Sequence, residues 1–439
     1  VKNFNLFTKK ITALAILAAS FACSNMMAMQ QNRKRECPYT QAAKQTVKRP
    51  EQQALSLADL PSIVIGKIAS HLSFEDINEL GRTCHNVDYA IRNYCFKNAT
   101  LLLDLKGADL DQNTFEKIIH FYEQHPGIRI TSLHLFSSQI TTDKVNQLLQ
   151  FAPELNELNL FNCDAIVASD LKLPASLQIM HTSIRYNTSD DLNNLFERCP
   201  NITEFSLLSY PYIPLIDIHW PASLQKINLS SSHITDAGLQ NLVAKAPGLT
   251  HINLSYCHDL ACNHLVWPTG LQYIDITNTD ITEIELDQLV EQCPNLTEIE
   301  ARLCHSIDFT NIHRDNTLQK IIIETNAISN EGLNNLLRHC TCLKDLDLSN
   351  CHQLQIQNIR WPHTLQKITL QWTQITDDRL NELFAQCPQL KEIDLSYCPK
   401  IKFNHINWPP SLQKIELRST NISDAQLNAL QTLLPHTQM

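Results

Sequence analysis

Residues 408–417 read "WPPSLQKIEL", and residues 361–370, one period of 47 earlier, read "WPHTLQKITL". The phrase returns as "RDNTLQKIII" at 314–323, "WPTGLQYIDI" at 267–276 and "WPASLQKINL" at 220–229. Aligned on Leu177, Leu224, Leu271, Leu318, Leu365 and Leu412, the chain steps by 47 without a slip, and Ile130 keeps the register further back. Other columns repeat with it: Trp220, Trp267, Trp361 and Trp408; Pro153, Pro200, Pro247, Pro294 and Pro388; Cys257, Cys304, Cys351 and Cys398. An insertion-free period of this length marks a stacked array rather than a string of globular domains.

Each period divides into a longer unit, such as "LQKINLSSSHITDAGLQNLVAKAPG" (224–248), and a shorter one, such as "LTHINLSYCHDLACNHLVWPTG" (249–270). Both open with LxxLxLxxC/N/T, where L is any aliphatic residue. The alternating L-x-L predicts a strand with one buried face. Template position nine is expected to turn inward, with its polar atom bonded to neighbouring backbone. The longer unit then carries a helix: Leu239, Leu242 and Val243 recur at helical spacing, as do Leu286/Leu289/Val290, Leu333/Leu336/Leu337 and Leu380/Leu383/Phe384, with Thr or Asp before them as a cap. The shorter unit has no such stripe and ends at Trp-Pro, where Pro holds the Trp extended. The Trp is expected to fill the space that a helix fills in the longer unit. Template starts at 100, 130, 155, 177, 202, 224, 249, 271, 296, 318, 343, 365, 390 and 412 predict about 14 parallel strands.

LxxLxLxxC is the leucine-rich-repeat signature. The longer unit resembles the cysteine-containing type of that repeat, and "WPxSLQKI" resembles the shorter proline-bearing repeats of bacterial proteins. The expected fold is an α/β solenoid over 99–439, curved, with helices on the convex side of alternate repeats.

Of the fifteen cysteines, those on template position nine (Cys163, Cys257, Cys304, Cys351, Cys398) and at the helix ends (Cys199, Cys293, Cys340, Cys387) fit this array as thiols. Strands stack ~4.8 Å apart, so like positions two rungs apart are roughly 10 Å apart, beyond the ~7 Å that a disulfide tolerates between Cα atoms. The same spacing keeps the repeated Cys-His pairs (257–258, 304–305, 351–352) from gathering on one metal ion. No metal and no cofactor is expected. Free thiols in such number suit a reducing compartment.

Only eight glycines are present, with no phosphate-loop, dinucleotide or HExxH motif, and no nucleophile–base pair stands out. The expected role is therefore not enzymatic. The net charge of −10 hides an asymmetry: residues 1–55 carry nine Lys/Arg against two Asp/Glu, and the rest carries 26 against 43. Such an acidic body repels nucleic acid and anionic membrane and favours basic or neutral partners.

Lys2, Lys9 and Lys10 precede the apolar run "ITALAILAASFA" (11–22), and Ser20-Phe21-Ala22 offers a cleavage site before Cys23. This reads as a signal peptide over 1–28, too short to span a bilayer; a buried helix is the alternative, and Cys23 could instead carry lipid. Residues 29–55, polar and basic without a period, read as a disordered linker. Val1 fits a bacterial alternative start, or a processed or truncated chain.

Residues 60–87, "LPSIVIGKIASHLSFEDINELGRTCHNV", have helical apolar spacing at Leu60, Val64, Ile65, Ile68 and Leu72, then a cap at Ser73–Asp76 and a second helix with Leu80. The pattern Leu60, Pro61, Val64, Ile68, Leu72, Asp76, Ile77, Leu80 and Cys84 resembles an F-box, giving a small all-α domain over 56–98. Ile63, Ala69 and Val87 depart from that pattern. An F-box followed by cysteine-type repeats resembles the substrate receptors of cullin-based ubiquitin ligases. The resemblance implies that Leu60, Pro61, Val64, Ile65, Ile68 and Leu72 dock on a Skp-type adaptor and through it on a cullin ligase. The alternative is a helical cap on the first repeat, which an array end needs in any case.

Template positions three, five and seven face out of the sheet. Position three alternates acid and lysine from Glu298 through Lys414, and each lysine is expected to meet the acid of the next rung. Position five is acidic without intervening bases: Asp275, Glu300, Asp347, Asp394 and Glu416. Beside it stand Arg302 and Arg418 at position seven and Tyr256, Trp372 and Tyr397 at position eight. Aromatic and arginine side chains dominate binding hot spots. These ten residues are the expected contact set for a target protein of basic character; a solvated face with scattered aromatics is the alternative.

Two functions follow. The first is an F-box substrate-recognition subunit, in a bacterial setting a host-directed effector exported to a host-cell cytoplasm. The second is an exported surface or periplasmic repeat protein whose helical segment is only a cap.

Overall fold

A computed structural model describes residues 100–438, apart from 106–111, 125–128, 137, 184–187, 209–214, 263–264, 311–316 and 325–326. The expected signal segment, the linker and the F-box-like residues Leu60 to Leu72 lie outside the described residues.

Fourteen strands follow one another in one sheet in chain order. They are β1 (Thr100–Asp104), β2 (Arg129–His134), β3 (Glu157–Leu160), β4 (Ile179–Thr182), β5 (Glu204–Leu207), β6 (Lys226–Asn228), β7 (His251–Asn253), β8 (Tyr273–Asp275), β9 (Glu298–Arg302), β10 (Lys320–Glu324), β11 (Asp345–Asp347), β12 (Lys367–Thr369), β13 (Glu392–Asp394) and β14 (Lys414–Glu416). Eight α-helices are described: α1 (Gln112–Gln124), α2 (Thr142–Leu149), α3 (Ser189–Arg198), α4 (Asp236–Lys245), α5 (Glu283–Gln292), α6 (Asn330–His339), α7 (Asp377–Gln386) and α8 (Asp424–Leu433). The chain divides into two compact units, Val1–Glu157 and Leu158–Met439.

In the first unit β1 and β2 pair in parallel, with a register shift between Leu101 and Leu102. Helices follow both strands, so strict alternation begins only after β2. The stretch after β1 is longer than any later unit and has room for the 13-residue α1. Tyr122 on α1 is buried and stacks on Phe151 at 5.6 Å.

In the second unit the opening phrase acquires a physical meaning residue by residue. Leu224, Ile227 and Leu229 point to the core at 3% exposure or less, as do their counterparts Leu365, Ile368 and Leu370. The Ser or Thr before the first leucine donates its hydroxyl to a carbonyl of the preceding rung: Ser223 to Ile202, Thr317 to Leu296, Thr364 to Leu343 and Ser411 to Leu390, all at 2.7–2.8 Å. The Gln backbone carbonyl accepts two N–H groups from the next rung, as Gln225 does from Thr250 and His251. Trp220, Trp267 and Trp361 are buried; Trp408 is half-buried and packs on Phe384.

The lysine of the phrase pairs backwards. Lys226 lies 3.4 Å from Glu204, Lys367 lies 3.3 Å from Asp345, and Lys320 pairs with Glu298, in each case on the preceding strand. Lys414 turns instead to Glu416 on its own strand, at 3.2 Å. Such part-exposed pairs contribute only ~0–1 kcal/mol each, so they suit the face without holding it together.

Position nine turns inward. Cys257 donates its thiol to the Leu229 carbonyl at 3.2 Å, Cys304 to Ile276 at 3.1 Å and Cys398 to Leu370 at 2.9 Å. Thr279 and Thr373 each donate to the carbonyl three residues back, at 2.7 Å. A second column, at the helix ends, reaches the proline of the preceding unit: Cys293 to Pro268 and Cys387 to Pro362, each at 3.5 Å. All eleven cysteines of the described residues are free thiols, and all but Cys342 are buried. Burial pushes the thiol of Cys199 up to about 11 and those of Cys293 and Cys387 up to about 12.

The helices start where a hydroxyl can cap them. Thr188, Thr235, Ser329 and Ser423 accept the third helical N–H at 3.0–3.3 Å, satisfying donors that a helix end leaves open. The next residue braces the following short unit. Asp236 accepts from the N–H groups of Ala261 and Cys262, and Asp377 from those of Lys402, Phe403 and Asn404. That contact falls on a left-handed residue, Cys262 or Phe403, and Asn330 makes it with the N–H of Ile356; Leu215 and Phe309 share the conformation, and φ of the five lies between 52° and 63°.

Candidate protein-binding face

One face of the sheet buries the leucine columns; the other carries positions three, five and seven. On that open face the position-five carboxylates have a local task first. Asp275 accepts the N–H of Thr277 at 2.9 Å, Asp347 that of Ser349 at 2.9 Å, and Asp394 that of Ser396 at 2.8 Å. Asn228 and Asn253 make the same turn with Ser230 and Ser255. The turn needs an Asp or Asn oxygen two residues upstream, which accounts for the residue type at these five places and not for Glu300 or Glu416.

The ten expected contact residues fall into groups. Asp275 is 8% exposed, and its second oxygen accepts from Asn253 at 3.0 Å. Glu300 accepts from the Tyr273 hydroxyl at 3.2 Å and lies 3.6 Å from Arg302. Burial and the surrounding carboxylates of Asp275 and Glu300 push the Tyr273 hydroxyl far up, so it stays a donor. Arg302, Asp347, Asp394 and Glu416 come together around one cavity of about 460 Å³, which Glu324, Gln371 and Glu392 also line. Arg418 extends from Glu416, 3.6 Å away, into solvent. Tyr256 stands apart on the β7 rung, 46% exposed.

Trp372 and Tyr397 meet. Their rings stack with centroids 4.4 Å apart and planes 6° from parallel, and both stay exposed. His352 closes on the Trp372 ring edge-on, and its Nδ1 bonds the Trp372 carbonyl at 2.7 Å. Position eight is a left-handed residue in every described rung of this kind: φ is 60° at Tyr256 and Trp372 and 59° at Tyr397. Asn162, Asn278 and Asn350 occupy the same place, where asparagine is at ease and a bulky aromatic is not. Aromatics there carry a conformational cost, which the mutual stacking of Trp372 and Tyr397 offsets and which Tyr256 meets without a ring partner.

A second cavity, of about 450 Å³, lies on the same face at β3 to β8, lined among others by Phe161, His181, His251 and Tyr273. Phe161 and His181, at template positions seven and five, lie outside the expected contact set; their rungs precede the acidic part of the position-five column. Burial, then the charge of Lys226, holds His251 below the ordinary imidazole range.

Among the described residues no three His, Cys, Asp or Glu side chains gather as a metal site. No helix of the described residues is long and apolar enough to cross a membrane.

The chain matches no curated protein sequence. Its sequence matches the model of the At1g61320/AtMIF1 leucine-rich-repeat domain over residues 109–217 and that of the leucine-rich repeat over residues 221–243. Among solved structures it is similar to an internalin (inlF) from Listeria monocytogenes, at 17% identity over 72% of this chain and 90% of that chain, with a TM-score of 0.42. It is similar also to a chain of the Rad7 and Elc1 complex of yeast, at 16% identity over 83% of this chain and 98% of that chain, with a TM-score of 0.41. A chain of the mouse RP105/MD-1 complex matches at 16% identity over 70% of this chain and 66% of that chain, with a TM-score of 0.40. With the parallel strands, the inward position nine and the period that continues to Leu412, the family-model matches identify leucine-rich-repeat domains in this chain.

Proposed function

We propose that the chain is a connector between two proteins: its repeats bind a target, and its Leu60–Leu72 segment docks on a Skp-type adaptor, making it the substrate-recognition subunit of a cullin-based ubiquitin ligase. The repeats support the first half, a protein-interaction role. The observation that carries it is the stacked, exposed Trp372–Tyr397 pair on an open sheet face beside a carboxylate-lined cavity. Large aromatics left in water next to charged side chains are the composition of protein contact sites. The second half rests on the sequence pattern of Leu60, Pro61, Val64, Ile65, Ile68 and Leu72. Export under the Lys2–Ala22 segment, followed by entry into a host cytoplasm, would place a bacterial version where such ligases work. The many reduced, buried thiols fit that compartment.

A pull-down of the full chain with a purified Skp-type adaptor tests the docking half. Capture is expected, with loss in a Leu60→Glu/Ile68→Glu/Leu72→Glu variant. No capture by the unaltered chain overturns the ligase role and leaves an exported surface or periplasmic binding protein as the reading of the same repeats.

A further inference from the structure

We infer that the β11–β14 part of the open face docks an extended protein segment that carries an arginine. This rests on the target-binding role proposed above and gives the target its chemistry. The patch is an unpartnered sheet face with an aromatic rim: Trp372 and Tyr397 are 44% and 37% exposed and lie three residues beyond Thr369 and Asp394 on neighbouring strands. Rings in that position offer apolar and cation–π contact to a chain laid across the strands.

Charge selects the occupant. The cavity beside the rings is lined by five carboxylates, Glu324, Asp347, Glu392, Asp394 and Glu416, against the cations Arg302, Lys367 and Lys414. All three cations are engaged: Arg302 with Glu324 at 3.1 Å, Lys367 with Asp345 at 3.3 Å and Lys414 with Glu416 at 3.2 Å. Asp347 and Asp394 accept hydrogen bonds only from neutral donors, the former from Ser349 and the latter from Ser396 and Gln371. A positive side chain entering here meets an excess of negative charge.

Register separates arginine from lysine. Thr369 pairs with Asp347 on one side and Asp394 on the other, so the two aspartates are two strand spacings, roughly 10 Å, apart. A single ammonium nitrogen does not reach both across that gap. The diverging nitrogens of a guanidinium over the short Thr369 side chain face both carboxylates at once. The same face already holds one guanidinium between two carboxylates, Arg302 with Glu300 on its own strand and Glu324 on the next; the place over Thr369 has no such residue.

Fluorescence anisotropy with the full chain and a labelled Ser-Leu-Arg-Leu-Ser peptide tests this, beside peptides with lysine or citrulline in place of the arginine. The arginine peptide is expected to bind about tenfold tighter than the lysine peptide, and about tenfold weaker to an Asp347→Asn/Asp394→Asn variant. Asparagine keeps the oxygen that Ser349 and Ser396 bond, so that variant retains the turns. Trp372→Ala weakens the arginine peptide as well. Equal binding of the arginine and lysine peptides, or a double variant whose affinity is unchanged, overturns the inference. Adaptor capture by the same preparation reads the proposed function separately: capture retained without an arginine preference sinks this inference alone.

Discussion

The side chain of Gln386 clamps the segment around Trp361. Its oxygen accepts the Trp361 N–H at 3.0 Å, and its amide group donates to the Ile359 carbonyl at 3.1 Å. Gln292 does the same for Trp267 and Leu265, at 2.8 and 3.2 Å. The last turn of one helix thus fixes the backbone of the short unit before it, where no helix supplies internal bonds. Gln386→Leu leaves a buried N–H and C=O without partners and is expected to lower stability by ~1–3 kcal/mol. Urea unfolding measures it; Leu433 stands at the matching place on α8 and makes no such clamp for the half-buried Trp408.

Two glycines give opposite outcomes. Gly332 on α6 sits against the Asp308 backbone carbonyl so closely that a Cβ would collide with it, whereas a Cβ at Gly248 would meet only the Leu224 oxygen, at 3.8 Å. Asp308 cannot retreat, because it also bonds the backbone and hydroxyl of Ser329 at the helix cap. Gly332→Ala is expected to destabilise by more than ~1 kcal/mol, and Gly248→Ala to be neutral or mildly stabilising. Paired thermal melts separate the two.

Much of this was legible in the sequence because the array repeats it. Leu224 and its copies gave the strand register, Cys257 and its copies the inward ninth position, and Thr235 the helix cap. The succession of α1 and α2 was not legible, because β1 precedes the regular period and its unit is longer. Nor was the backward pairing of Lys226 with Glu204, since rungs on both sides of a lysine lie equally near in a template. Position eight hid most: Asn278 and Trp372 share one left-handed conformation, which a side-chain pattern does not reveal.

That conformation makes a stability prediction. Tyr256 holds φ at 60° without the ring partner that Trp372 and Tyr397 give each other. Tyr256→Asn is expected to raise stability by up to ~1 kcal/mol, as asparagine tolerates the left-handed region better. An unchanged or lowered denaturation midpoint would show that the tyrosine packs in the fold.

The buried thiols set an alkaline limit. Cys199, Cys293 and Cys387 are neutral in the folded chain up to about 11 or 12, against an ordinary value of 9.0. Their folded pKa is raised, so their contribution is complete below pH 9 and is lost as pH rises through the folded values. Stability is expected to fall between about pH 9 and about pH 11 at constant ionic strength, and a Cys293→Ala/Cys387→Ala variant should show a shallower fall. Among the described cysteines, only Cys342 should react with a thiol reagent while the chain is folded.

The connector role itself is tested by surface plasmon resonance on the immobilised full chain, with purified Skp-type adaptor injected to saturation and the arginine peptide added on top. The account predicts one adaptor per chain, and a peptide affinity and capacity unchanged by its presence. An adaptor that does not bind, or one that displaces the peptide from the Trp372–Tyr397 face, contradicts it.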